Sequence, residues 1–97
     1  MKAIVVDEPG DASKMQFKDA PDPVPGDEDV LVRVHASALN RADMLQRMGN
    51  YPAQHGASTI MGLELAGEVA EVGASVQDFK VGDRVYGLSG GGGYAEL

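Results

Sequence analysis

The chain contains no cysteine and no tryptophan among its 97 residues. Without thiols it can form neither disulfide bridges nor a thiolate-ligated metal site, and it is compatible with a reducing compartment such as the cytoplasm. No apolar stretch approaches the roughly 18 consecutive residues that a membrane-spanning helix requires. The apolar run at Lys2–Val6 is also too short for a signal peptide. We therefore expect a cytoplasmic protein without a membrane partner.

Positive charge is scarce. Eight Lys and Arg residues face fifteen Asp and Glu residues, which gives a formal net charge of −7. A nucleic-acid-binding protein needs a clustered basic patch that neutralises phosphates, and the sequence has none. We therefore expect no nucleic-acid partner and interpret the acidic residues as a solvated surface that keeps the protein soluble.

The length bounds the fold to one small domain with a modest core. Thirteen glycines and five prolines indicate a turn-rich chain rather than a helical one. Prolines at 21, 23 and 25 predict an extended connection, because proline lacks the amide donor that helices and sheets use. There is no internal repeat, so residues 1–97 are treated as one unit.

The stretch Gly62–Val85 organises the remainder of the chain. Side chains from Leu65 to Val72 alternate with period two, which predicts a β-strand. Gly67 in mid-strand predicts a bend or a close backbone neighbour. A turn at Phe79–Asp83 then leads into a strand at Arg84–Leu88. The sequence therefore predicts an antiparallel hairpin.

One short helix is predicted over Arg41–Met48, with Asn40 as its N-cap, Asp43 completing a capping box and Gly49 ending it. Every other regular segment favours β structure. These further strands are predicted at Lys2–Val6, Lys14–Lys18, Asp29–Ser37 and Tyr94–Leu97. The predicted architecture is mainly β, as a partly open barrel with one short helix.

Two patterns that suggest chemistry lack the context they need. The run Gly90–Gly93 followed by Ala95 formally satisfies a dinucleotide-binding glycine pattern, but that pattern requires a helix to follow, and the next residues favour β structure. His35 and His55 are the only histidines, and no local spacing supplies the three ligands of a catalytic zinc site. We expect a flexible turn and no metal.

Four polar residues remain as candidates for a functional site, and from the residues alone a structural role is favoured for each. They are Asn40, Asp43, Tyr51 and Glu64. Capping of the helix explains Asn40 and Asp43. Tyr51 is explained as an amphipathic loop anchor, and Glu64 as a paired carboxylate.

Several segments together resemble the medium-chain dehydrogenase/reductase superfamily. They are residues 1–6 (MKAIVV), 25–34 (PGDEDVLVRV), 38–43 (ALNRAD), 62–76 (GLELAGEVAEVGASV), 79–85 (FKVGDRV) and 90–97 (GGGGYAEL). The resemblance covers nearly the whole chain and implies the GroES-like β-barrel of that superfamily's N-terminal catalytic domain, in incomplete form. It also implies a Rossmann cofactor domain, which residues 1–97 do not contain.

Two departures from the superfamily pattern indicate the branch. Zinc-containing members carry His where this chain has Leu63 and Cys where it has Asn40. A leucine side chain cannot ligate a metal, and an amide is a poor substitute for a thiolate. The motifs at Asn40–Asp43 and Gly49–Pro52 are similar to the zinc-independent quinone oxidoreductases.

That resemblance implies an NADPH:quinone oxidoreductase, which transfers hydride without a metal to quinones or other conjugated carbonyls. It implies catalytic and cofactor-contacting roles for Asn40 and Tyr51, at the positions that line the nicotinamide and substrate cleft. Asp43 is expected to be structural. We expect residues 1–97 alone to be inactive, since they hold no pyrophosphate site.

The residues leave several alternatives open. The same superfamily includes enoyl-thioester or crotonyl-type reductases, and a free-standing GroES-like binding or assembly module is a third possibility. The natural substrate and the preference for NADPH over NADH are not fixed by these residues. Unpaired strand edges of an incomplete barrel favour self-association into a homo-oligomer.

Overall fold

A computed structural model describes all 97 residues. It contains five strands, one α-helix and one 3-10 turn, so the chain is mainly β as predicted. In chain order these are β1 (Lys2–Val6), the 3-10 turn (Ala12–Lys14), β2 (Met15–Asp19), β3 (Val30–Ser37), α1 (Arg41–Arg47), β4 (Glu64–Val72) and β5 (Arg84–Leu88).

The strands form two antiparallel sheets, β1–β2 and β3–β4–β5. The predicted hairpin is confirmed, because β4 pairs with β5 from Glu64 opposite Leu88 to Glu68 opposite Arg84. The turn that joins them is tied back to β4, since Val69 donates to the Asp83 carbonyl at 2.8 Å and accepts from Gly82 at 2.8 Å.

The segment 94–96 connects the two sheets. Ala95 forms an antiparallel bridge with Ala3. On one side Ile4 donates to the Tyr94 carbonyl at 2.8 Å, and on the other Val34 donates to the Glu96 carbonyl at 2.9 Å. The outer edges of β2 and β5 have no strand partner, so the sheets do not close into a barrel.

Some predicted bounds are wrong by one or more residues. The predicted strand Tyr94–Leu97 is reduced to a single bridge at Ala95, because its hydrogen bonds alternate between two different neighbours. β2 begins at Met15 rather than Lys14. The reason is the preceding 3-10 turn, where Asp11 caps by accepting from the Ser13 amide at 2.9 Å.

Gly67 marks the closest approach between β3 and β4. It pairs with Val34 in the register of the two strands and is buried. A Cβ at this position would lie 2.1 Å from the backbone oxygen of Arg33 and 2.8 Å from a methyl carbon of Val32. The close backbone neighbour predicted for Gly67 is therefore present, and only glycine fits there without displacement of β3.

The buried apolar core is small, and it comprises Ala3, Leu31, Met61, Leu63 and Val69. Many large apolar side chains lie at the surface instead. The most exposed are Phe17, Val24, Leu39, Tyr86 and Leu88. The one α-helix has only seven residues, and the structure holds no helix with the length and apolar character needed to cross a membrane.

Candidate functional site

The helix α1 begins at Arg41 as predicted and ends at Arg47, one residue before the predicted end, because Met48 is the C-cap. Asn40 is the N-cap, in extended conformation, and its backbone N–H donates to Asp43 Oδ2 at 2.8 Å. At the other end Gly49 has a positive φ of 81°, and the Asn50 amide donates to the Leu45 carbonyl at 2.8 Å. The loop that contains Tyr51 therefore leaves the helix in a defined direction.

The Asn40 side chain reaches β4. Its Nδ2 donates to Glu64 Oε2 at 2.9 Å, across a sequence separation of 24 residues. The backbones meet nearby as well, since Ala38 donates to the Glu64 carbonyl at 3.2 Å. A carboxamide nitrogen carries two N–H groups, and the second makes no hydrogen bond to the protein. Asn40 therefore presents a fixed amide with one free donor.

Asp43 is buried beneath this amide, with only 5% of its surface exposed. Its Oδ2 accepts hydrogen bonds from the backbone N–H of Asn40 and from the hydroxyl of Tyr94, which lies 51 residues away in the chain. Its Oδ1 is buried without a hydrogen-bond partner. Asn40, Asp43, Glu64 and Tyr94 form one hydrogen-bonded group, which is called the Asn40 cluster below.

Sequence reasoning found three members of the cluster but missed the fourth. For Tyr94 the sequence pattern predicts only the start of a strand. The one hint is its place directly after the Gly90–Gly93 run, which lets the backbone approach residues 58–64 closely. Gly62 reflects the same approach, because a Cβ at position 62 would lie 2.6 Å from the Tyr94 nitrogen.

The electrostatics of the cluster affect Tyr94. Burial, followed by the hydrogen bond to the Asp43 carboxylate and its charge, raises the pKa of the Tyr94 hydroxyl above the ordinary tyrosine value. The folded state therefore retains this proton at pH values where the unfolded chain releases it. Its contribution to stability is complete below about pH 10, the pKa of an unperturbed tyrosine, and declines at higher pH.

This shift predicts the alkaline behaviour of the protein. In an ultraviolet titration of tyrosinate, Tyr94→Phe should remove the phase that ionises at the highest pH, whereas Tyr86→Phe should leave that phase in place. Tyr86 is a matched control because it is 89% exposed and its hydroxyl makes no hydrogen bond. A highest-pH phase that persists in Tyr94→Phe would contradict the burial and hydrogen bonding of this hydroxyl.

The structure does not join Tyr51 to the cluster. Tyr51 lies in the loop after α1 with 40% of its surface exposed. No hydrogen bond connects it to Asn40 or to any other residue, so its hydroxyl is free to meet a ligand. Its predicted role in the site remains a prediction.

The remaining sequence candidates lie elsewhere. No helix follows Gly90–Gly93, and the amides of Gly92 and Gly93 donate to the carbonyls of Ile60 at 2.8 Å and Gly62 at 2.9 Å. These amides are therefore used in hydrogen bonds within the chain, and the glycine run does not form a pyrophosphate cradle. His35 on β3 and His55 in a loop are both exposed, and no group of three potential metal ligands exists in the chain.

The comparison with known families gives the chain its place. Residues 26–97 match the alcohol dehydrogenase GroES-like domain. The chain belongs to this family. The resemblance to the medium-chain dehydrogenase/reductase superfamily is thereby confirmed, together with the GroES-like fold without a closed barrel.

Two curated relatives and one solved structure show what this GroES-like chain is similar to. It is 42% identical over 88 residues to an acryloyl-coenzyme A reductase of Sulfurisphaera tokodaii, covering 91% of this chain and 25% of that protein. It is 43% identical over 89 residues to a quinone oxidoreductase of Pseudomonas aeruginosa, covering 91% and 27%. The crystal structure of Escherichia coli quinone oxidoreductase complexed with NADPH superposes with a TM-score of 0.86 at 28% identity, covering 99% and 29%.

These relatives are oxidoreductases, and the GroES-like chain spans about a quarter of their length. The residues present offer hydrogen-bond donors, but the glycine run is not a pyrophosphate site. The free N–H of Asn40 and the free hydroxyl of Tyr51 suit a carboxamide or a carbonyl oxygen. The glycine run does not fit a pyrophosphate, because two of its amides are already used.

Proposed function

We propose that this GroES-like chain forms the substrate-facing part of an NADPH-dependent reductase of quinones or other conjugated carbonyls. The observation that carries the proposal is the half-buried Asn40 amide, which Glu64 holds at 2.9 Å while one N–H stays free. Quinone oxidoreductases among its relatives and neighbours support the substrate class. We propose that the protein acts in the cytoplasm.

The chemistry assigned to the chain is electrostatic. A bound NADPH would supply the hydride, and negative charge would develop on the oxygen of the acceptor carbonyl. Donors fixed before the reaction stabilise such charge without the cost of reorienting. Asn40 contributes an N–H whose direction is set by Glu64, and Tyr51 contributes a hydroxyl from the adjoining loop.

We propose that these donors act without a metal. Leu63 is 8% exposed and presents only carbon next to Glu64, and Asn40 offers an amide that is engaged with that carboxylate. Neither is a good ligand for zinc, which prefers thiolate, imidazole and carboxylate. The pyrophosphate of NADPH would be held by a nucleotide-binding domain outside these 97 residues, so we expect the isolated chain to be inactive.

A chimera tests the proposal. Residues 1–97 would replace the matched 29% of Escherichia coli quinone oxidoreductase, so that the remainder of that protein supplies NADPH binding. We expect NADPH oxidation that depends on an added quinone. Fluorescence of bound NADPH is the control for folding. A chimera that binds NADPH but reduces no quinone and no other conjugated carbonyl would refute the proposal.

Reduction of an enoyl thioester is the second candidate function. The 42% identity to an acryloyl-coenzyme A reductase is close to the 43% identity to the quinone oxidoreductase and supports this candidate. Both reactions deliver hydride to a conjugated carbonyl system, so Asn40 would serve either. Rates of the same chimera with acryloyl-coenzyme A and with a quinone, compared as kcat/KM, would decide between them.

Tyr51→Phe should lower kcat of the chimera roughly tenfold, the factor expected when one neutral hydrogen bond is lost. The fold should persist because the hydroxyl has no partner in the protein. Tyr86→Phe is the matched control, since that hydroxyl is also free but lies on β5. Equal kcat values for Tyr51→Phe and the unmodified chimera would remove Tyr51 from the site.

A further inference from the structure

We propose that Asp43 is a positioning residue for Asn40, and that the hydroxyl of Tyr94 holds the Asp43 carboxylate in the orientation that does this. The inference rests on the proposed function insofar as Asn40 is a working donor. The structural part of the inference does not depend on that function: in the 97-residue chain, the hydrogen bond from the Asn40 side chain to Glu64 should depend on the Tyr94 hydroxyl.

The burial of Asp43 exceeds what a helix cap requires. A capping carboxylate at the third position of a helix can lie at the surface and still accept the N-cap amide. Asp43 is instead 5% exposed, and burying a carboxylate is costly unless donors satisfy it. Both donors converge on Oδ2 while Oδ1 has none, so the loss of the Tyr94 hydroxyl would leave the buried carboxylate with a single hydrogen bond.

The groups that hold Asn40 share one framework. Glu64, which accepts the Asn40 side chain, directly follows the segment 61–63. Tyr94 is fixed to that segment, because its amide donates to the Met61 carbonyl at 2.9 Å and the preceding Gly93 amide donates to the Gly62 carbonyl at 2.9 Å. Asp43 therefore holds the backbone of Asn40, and Glu64 holds its side chain. Tyr94, which binds Asp43, and Glu64 lie on two segments that are hydrogen-bonded to each other.

Through this arrangement the Tyr94 hydroxyl affects the position of the Asn40 side-chain amide. Without it, the Asp43 carboxylate can rotate about its last side-chain bond, and the N-cap backbone of Asn40 loses a fixed acceptor. The side chain of Asn40 then reaches Glu64 from a less constrained backbone. The hydrogen bond from Nδ2 to Glu64, 2.9 Å long, should open more often.

Nuclear magnetic resonance of the 97-residue chain tests this directly. The chain has two asparagines, so the exposed Asn50 serves as an internal reference for the Asn40 side-chain amide. In Tyr94→Phe, exchange of the Asn40 amide protons with water should accelerate about tenfold, the factor that corresponds to one hydrogen bond. Asn50 should not change, and Tyr86→Phe should leave both asparagines unchanged. Asp43→Ala, which removes the acceptor, should reproduce the effect of Tyr94→Phe.

Three results would overturn the proposal. One is unaltered exchange of the Asn40 amide in Tyr94→Phe. The second is an Asp43→Ala spectrum in which Asn40 is unaffected. The third is loss of the dispersed spectrum in both variants, because it would mean that Asp43 and Tyr94 support the whole fold rather than the position of Asn40.

A kinetic measurement separates this inference from the proposed function. In the chimera, Tyr94→Phe should reduce kcat several-fold while KM for the quinone is unchanged, since a poorly held donor weakens transition-state binding more than substrate binding. An inactive chimera would refute the proposed function and leave the resonance result standing. An active chimera in which Tyr94→Phe has no effect on kcat would refute the positioning role alone.

Discussion

Replacing Asn40 with alanine is expected to lower kcat of the chimera about a hundredfold, the loss typical of removing one preorganised donor from a site where negative charge develops. The free N–H of Asn40 disappears, and a water molecule that takes its place is held less rigidly than the side-chain amide. The fold should remain, because the link between the Asn40 backbone and Asp43 at 2.8 Å does not involve the side chain that is removed.

The control for this variant is Asn50→Ala, which removes the same group from an exposed position just after α1. It should leave kcat within about twofold of the parent, since surface substitutions away from special features have small effects. NADPH binding should be retained in both variants. An Asn40→Ala chimera with parental kcat would show that the amide is not part of the chemistry.

Replacing Gly67 with alanine is expected to reduce the free energy of unfolding by about 3 kcal/mol, the upper end of the usual cost of overpacking. The added Cβ would lie 2.1 Å from the Arg33 backbone oxygen, so β3 must move away from β4. Backbone atoms cannot yield as the end of a flexible side chain can. For a domain of this size, the midpoint of thermal unfolding should fall by on the order of 15 °C.

Gly87→Ala is the matched control, because this glycine lies in β5 with nothing within 4 Å of a Cβ. Alanine there should be neutral or slightly stabilising, since glycine in a strand loses more conformational entropy on folding. Thermal unfolding of both variants followed by circular dichroism makes the comparison. Equal midpoints for the two variants would contradict the close packing of β3 on β4.

The strands and the helix could be predicted because their signals are local. The alternation between Leu65 and Val72 extends over eight residues, and it marks β4 to within one residue of its observed start. The cap at Asn40 and the stop at Gly49 lie within one short segment and fix α1 equally well. The predicted paired carboxylate at Glu64 is also present, although its partner could not be named.

The Asn40 cluster could not be predicted because its contacts are distant in sequence. Asn40 meets Glu64 across 24 residues, and Asp43 meets Tyr94 across 51. No periodicity connects such pairs, and they come together only after β4 and the segment 94–96 have packed. For the same reason Tyr94–Leu97 was wrong as a strand, since its backbone partners lie on both β1 and β3.

Quinone-dependent oxidation of NADPH by the chimera, after removal of metal ions with a chelator, is the most direct test of the central claim. That claim is that Asn40, held by Glu64 and Asp43, serves as a donor for hydride transfer to a conjugated carbonyl without a metal. The account predicts that turnover survives chelation and falls about a hundredfold in Asn40→Ala. Turnover that is lost on chelation and restored by zinc, or that is indifferent to Asn40, would contradict it.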